Sequence, residues 1–181
     1  YIWFIATYGT TTGQIGNFAN EILQKQNIEI SAYFSVKMPD TWTPTFNLSN
    51  KEYVRKINER AELQIDSVID KIINRAIGDY MQRKVPMPIA KWFYNMEYDT
   101  MRKTSHFHVE NTCVGCGLCA QKCPISAIDI TNKQPVWNQE QCVMCLSCLH
   151  HCPKFAIQYG KRTKKHGQYV HFPLSVKENK V

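Results

Sequence analysis

Tyr1 to Tyr8 is a run of β-branched, aromatic and small apolar residues that stops at Gly9, the pattern of a strand buried on both faces. Thr10 to Gly13 reads as a turn. From Gln14 the residues Ile15, Phe18, Ala19, Ile22 and Leu23 recur at helical spacing, and Ile28 to Val36 is a second strand-like run. Together they predict one βαβ unit with parallel strands and a right-handed crossover. A looser stretch holding Pro39 and Pro44 follows, and Ser49 with Glu52 three residues on has the capping-box form of a helix start. Val54, Ile57, Ala61, Ile65, Val68, Ile72 and Ala76 then step by three or four, one face of a long helix ending near Gly78.

Residues 79–105 read as connecting structure interrupted by Pro86 and Pro88. Within it Ile89, Trp92, Phe93 and Met96 form the apolar side of one short helix, expected to pack on a neighbour as filler. Phe107 with Val109, and Ile157 with Tyr159, alternate as short strands do. The division expected is 1–78, 79–105 and 106–181.

Composition narrows the class. The 181 residues are 44% hydrophobic and 20% charged, inside the globular range and outside that of disordered chains. No apolar run approaches the roughly 18 residues that a membrane span needs. Tyr1 to Ala6 has neither a basic segment ahead nor a small-residue cleavage signal behind, so a cytoplasmic location is expected. The net charge of +7 is uneven: +1 over residues 1–112, +1 over 113–160 and +5 over 161–181. The chain opens inside its first strand, and two parallel strands with two helices do not make an independently stable sheet. Upstream strands are therefore expected in an intact parent.

All eight Cys lie between Cys113 and Cys152, and they repeat. Cys113, Cys116, Cys119, Cys123, Pro124, Ala127 and Ile128 recur 29 residues later as Cys142, Cys145, Cys148, Cys152, Pro153, Ala156 and Ile157, the mark of a duplicated unit. A disulfide framework belongs to small secreted chains, and a redox dithiol leaves six Cys without a role. Two zinc sites could use eight Cys, yet zinc pairs are separated by longer spacers than those between the third and fourth Cys of each run. Three thiolates two residues apart on a tight loop can converge on one group, with a fourth ligand reached from elsewhere. Pro124 and Pro153 suit a chain turning away from such a group. Gly115 and Gly117 allow close backbone approach, where the second run has Met144 and Leu146.

Both runs read C-x-x-C-x-x-C-x-x-x-C-P, and from His106 to about Leu174 the chain resembles the bacterial two-cluster ferredoxins. The resemblance implies that the fourth Cys of each run ligates the other cluster: Cys113, Cys116, Cys119 and Cys152 on one 4Fe-4S centre, Cys142, Cys145, Cys148 and Cys123 on the second. The whole chain resembles the EFR family of fusions, in which a flavodoxin-like domain precedes a two-cluster ferredoxin domain. Ile5-Ala6-Thr7-Tyr8-Gly9, Phe34-Ser35-Val36-Lys37-Met38-Pro39-Asp40, Pro135-Val136-Trp137 and Gly160-Lys161 carry it. It implies a fold of two kinds, the C-terminal half of a parallel α/β sheet domain followed by an α+β ferredoxin domain. It also implies that Thr7, Tyr8, Gly9 and Thr10 could face an FMN in an intact parent, although residues of these types at a strand end also make an ordinary turn.

The function expected is a low-potential, one-electron carrier working between redox partner proteins with acidic docking surfaces. Ile125, Ile128, Ile130, Val136, Phe155 and Ile157 are candidates for a dry shell around the clusters. His106, His108, His150, His151, His166 and His171 are needed by neither cluster and read as packing or surface residues. Two other functions are open. The chain could be the electron-entry module of a flavin-dependent reductase. It could also be a nucleic-acid-associated iron-sulfur protein, on account of Lys161, Arg162, Lys164, Lys165, Tyr169 and Phe172. A solvated tail or a basic strip for an acidic partner accounts for those residues more simply. No nucleophile-base pair or carboxylate pair stands out as catalytic.

Overall fold

The structure, a computed structural model, describes residues 1–171. Its elements are β1 (Trp3–Tyr8), α1 (Ile15–Gln24), β2 (Ala32–Lys37), α2 (Lys51–Ile73), β3 (Gly78–Asp79), α3 (Met87–Met101), β4 (Phe107–Val109), α4 (Leu118–Gln121), β5 (Ile128–Thr131), β6 (Gln134–Trp137), α5 (Ser147–His150), β7 (Ile157–Tyr159) and α6 (Thr163–His166). They gather into two compact units, Tyr1–Thr41 with Asn50–Lys103, and Trp42–Ser49 with the chain from Thr104 onward. This differs from the expected division at 78 and 105. Residues 79–103 stay with the first unit, and the stretch read as a loose connection supplies Trp42–Ser49 to the second.

The first unit is a parallel sheet of order β1-β2-β3, with β1 paired to β2 from Trp3 against Ala32 to Tyr8 against Lys37. β2 starts at Ala32, later than the apolar run from Ile28, because Ile28 N–H returns to the Leu23 carbonyl and closes the end of α1. Ala32, Phe34 and Val36 point to one face and pack on Ala61 and Val68 of α2, the stripe predicted by periodicity. On the other face Tyr33 meets α1, donating its hydroxyl to Asn20 and approaching Gly16. α2 is capped by Asn50, whose side chain accepts from Tyr53 N–H at 2.9 Å. The expected Ser49–Glu52 capping box is not formed, since Glu52 reaches forward to Arg55 at 2.8 Å.

Much apolar surface in this unit is uncovered. Trp3 and Ile5 of β1 and Ile15, Phe18 and Ile22 of α1 are exposed. In α3, predicted to pack on a neighbour, Ile89, Trp92, Phe93 and Met96 are each more than half exposed, and no residue of the helix is buried. Its aromatics meet within the helix instead, Tyr94 stacking on Tyr98 at 4.6 Å.

The second unit carries two antiparallel pairs, β4 with β7 and β5 with β6. Its core is Cys119, Ile128, Leu146, Cys148, Leu149, Ile157 and Tyr159. Trp42 packs edge-on against Tyr159 at 5.3 Å, and Leu48, almost fully buried, donates its N–H to the His166 carbonyl at 2.8 Å.

Candidate metal centres

Each Cys run folds as a loop followed by one helical turn. Gly115 and Gly117 sit at φ 66° and 75°, and Met144 and Leu146 take the same left-handed form at φ 45° and 55°. Left-handed residues on either side of Cys116 and Cys145 give the backbone form of an anion-binding concavity. At Gly115 glycine is obligatory for space as well, since a Cβ there would lie 2.7 Å from the Lys133 carbonyl oxygen. At Leu146 the second run accepts left-handed strain that costs roughly 1–3 kcal/mol. In return its side chain, 2% exposed, fills the core beside Leu149.

The duplication explains how distant Cys meet. The strand after the second run, β7, pairs with β4 before the first run, and β5 after the first run pairs with β6 before the second. Glu110 N–H bonds the Ala156 carbonyl at 2.7 Å, and Asn138 N–H bonds that of Ala127 at 3.1 Å. The exchange carries Cys152 to the first loop and Cys123 to the second. One hollow is accordingly lined by Cys113, Cys116, Cys119 and Cys152. A second is lined by Cys123, Cys142, Cys145 and Cys148. Each set joins three Cys of one run with the fourth of the other.

Among the described residues no three His, Cys, Asp or Glu side chains close tightly enough around one point to hold a single ion. Backbone donors already face sulfur: Ala127 N–H to Cys123 Sγ at 3.2 Å, Ala156 N–H to Cys152 Sγ at 3.2 Å and Met144 N–H to Cys142 Sγ at 3.3 Å. Such donors stabilise ligating thiolates. Burial pushes the Cys148 thiol up to about 12, helped by the nearby Cys145, and raises Cys119 for the same leading reason. Four soft thiolates, inward amides and a dry wall fit an iron-sulfur cluster in each hollow.

Of the expected dry shell, Ile128 and Ile157 are buried and Ile125 lines the second hollow. Ile130, though partly open to solvent, and Ile157 line the first hollow, whereas Val136 is exposed and lines neither, because on β6 the inward residue is its neighbour Pro135. Trp137, which also lines the second hollow and stacks on Phe107 at 4.8 Å, was not singled out as a wall residue by sequence reasoning. No histidine among the described residues lines either hollow. His150 is buried and accepts from Tyr169 N–H, His151 bonds Ser147, and the His166 ring bonds the Thr43 carbonyl at 2.6 Å. These are the packing roles expected. Thr7, Tyr8, Gly9 and Thr10 end β1 and enter its loop; Tyr8 is buried, and Thr10 commits its hydroxyl to Asp40 at 2.9 Å. Lys161, Arg162, Lys164 and Lys165 are exposed, Lys164 paired with Glu110 at 2.9 Å, while Phe172 lies outside the described residues. No helix among the described residues is long and apolar enough to cross a membrane.

Residues 106–153 match the family model of the 4Fe-4S dicluster domain. The chain is 44% identical over 55 residues to the uncharacterized protein MJ0749 of Methanocaldococcus jannaschii, covering 30% of this chain and 21% of that one. It is 36% identical over 62 residues to the uncharacterized polyferredoxin-like protein MJ1302 of the same organism, covering 27% and 37%. It is also 39% identical over 46 residues to one component of the ion-translocating oxidoreductase complex of Methanosarcina acetivorans, covering 25% and 17%. The matched segment thus spans about a fifth to two fifths of these relatives' own lengths. No solved structure matches the chain significantly. The second unit contains a ferredoxin-type domain, and its function is iron-sulfur electron transfer.

Proposed function

We propose that this chain is a two-cluster electron relay, with one 4Fe-4S cluster on Cys113, Cys116, Cys119 and Cys152 and the other on Cys142, Cys145, Cys148 and Cys123. The observation that carries this reading is the pair of hollows, each ringed by three Cys of one run and the fourth of the other. When bound, each cluster takes up and releases single electrons at low potential. The chain's own residues set the conditions. Cys123 and Cys152 tie the repeats together, the amides of Ala127, Met144 and Ala156 hold thiolate charge, and Leu146, Leu149, Ile128 and Ile157 keep water off the inner side. Pro124 and Pro153 follow the crossing cysteines and fix φ where the chain turns away from each cluster.

The partners in this reading are redox proteins with acidic docking surfaces, and the place of work is the cytoplasm, where thiols stay reduced. The first unit is read as the second half of a flavodoxin-like domain within an EFR-type fusion. Support comes from its parallel sheet and from β1, which among the described residues has β2 as its one neighbour and so leaves an edge and an apolar face for further strands. FMN at Thr7, Tyr8, Gly9 and Thr10 belongs to such a longer parent alone.

Metal analysis of anaerobically prepared protein tests the relay. About eight iron and eight sulfide per chain, with a brown absorption that bleaches on reduction, are expected. Stoichiometric zinc without colour overturns it.

A further inference from the structure

The two hollows are alike in ligands and unlike in surroundings. The second is walled by Pro124, Ile125, Trp137, Val143 and Leu146, with no charged side chain in its lining. The first includes Lys154 and lies against Lys133, whose Cβ and carbonyl cover Gly115. Both lysines are exposed, and the Lys154 carbonyl accepts from Thr112, which ties it beside the first run.

The other charges near the cysteines line neither hollow. Glu110, upstream of the first run, is held by Lys164 and faces His108. The acids between the first and last Cys are Asp129 and Glu140. Asp129 accepts from Asn138, whose amide also reaches the Ser126 carbonyl beyond Cys123, and Glu140 lies two residues before Cys142. Neither carboxylate lines either hollow. Lys122, next to Cys123, lines neither hollow.

Lys133 also occupies an unfavourable backbone position. Asn132 and Lys133 turn the β5–β6 hairpin with φ 51° and 61°, the geometry that favours Asn followed by Gly. Lys133 thus stands at the glycine position of a two-residue turn, over the first loop.

We propose that the cluster on Cys113, Cys116, Cys119 and Cys152 is the docking port of the relay, and that Lys133 and Lys154 present it to a protein partner with an acidic surface. This rests on the two-cluster reading above. The basic rim steers an acidic surface onto the face where Val114, more than half exposed, offers the apolar centre of a contact. The cluster of the second run, with no charged side chain among the described residues that line its hollow, is then the inner member of the pair.

The test uses the whole chain loaded with both clusters, its iron content measured first. Fewer than two clusters would mean that the relay reading has failed, and the port with it. The loaded chain is titrated with hexacyanochromate(III), a redox-inert paramagnetic trianion standing in for an acidic surface. Proton NMR follows the cysteine β-methylene signals of each centre. Selective broadening of the Cys113, Cys116, Cys119 and Cys152 signals is expected, fading as salt screens the charges. It should be lost in the Lys133→Gly, Lys154→Gln double variant and kept in Lys133→Arg. Lys133→Gly suits the turn and should leave iron content and thermal stability intact, so a loss of broadening reports charge and not unfolding. Equal broadening at both centres, broadening confined to the second, or no change in the double variant overturns the port.

Discussion

Cys123 is the residue on which the crossed arrangement is most simply tested. It belongs to the first run in sequence, yet it lines the hollow of Cys142, Cys145 and Cys148. Cys123→Ala should therefore disturb the second centre and spare the first. Spectroscopic loss of the first centre instead would contradict the crossing. Cys148 carries the pH dependence. Its thiol, pushed up to about 12, is protonated at neutral pH before metal arrives, and iron must displace that proton. A lower pH increases the proton's competition for sulfur, so cluster loading should release protons and weaken as pH falls from about 9 toward 6. Reconstitution followed by visible absorption, together with proton release in weak buffer, checks the sign; loading that improves on acidification would contradict it. Thr163, fully buried, accepts from Tyr159 N–H at 3.0 Å and donates to the Gln158 side chain at 2.7 Å. Thr163→Val removes both bonds at constant shape and should cost roughly 1–3 kcal/mol. Denaturant unfolding of the loaded chain would measure this, and a change near zero would mean that water or a rearranged Gln158 replaces the hydroxyl.

At the scale of elements, legibility followed periodicity and failed where tertiary partners decide. Val54, Ile57, Ala61 and Val68 were readable as the buried stripe of α2 because one helix face suffices to define them. The duplicated half-units were readable because a 29-residue offset aligns α4 with α5 and β5 with β7. The start of α2 was misread by one residue, since Ser49 and Asn50 are both good caps and only the bond to Tyr53 distinguishes them. The role of Trp42–Ser49 was hidden altogether. Nothing in a Thr- and Pro-rich stretch announces that Trp42 meets Tyr159, or that Leu48 is buried beside a segment over 100 residues later. Its attachment sets a prediction about pieces of the chain. The segment from His106 to Val181 should still take up iron, because ligation joins its two repeats. It should unfold at a lower temperature than the same domain in the whole chain, since burial of Leu48 and the Trp42 contact are lost. Residues 1–78 alone, with a bare β1 edge and exposed Ile15, Phe18 and Ile22, should aggregate or remain partly unfolded. Separate expression, with iron content and thermal circular dichroism, tests both halves. A cooperatively folded, flavin-binding 1–78 piece would contradict the second.

Across the whole molecule, one strand exchange accounts for both the fold of the second unit and its chemistry. Pairing β4 with β7 and β5 with β6 makes each repeat complete the other's sheet, and the same exchange delivers each fourth Cys to the opposite loop. The ligand spacing was legible in the sequence. The inequality of the two surroundings was only half so: Met144 and Leu146 stand where the first run has glycine, but the placement of Lys133 over Gly115 depends on the hairpin's fold. Spin quantitation by electron paramagnetic resonance of the fully reduced, cluster-loaded chain addresses the central claim most directly. Two crossed centres whose Cys119 and Cys148 share one core should give a broadened, interacting signal integrating to about two spins per chain. A sharp signal of about one spin, or none with zinc bound in place of iron, would contradict the account.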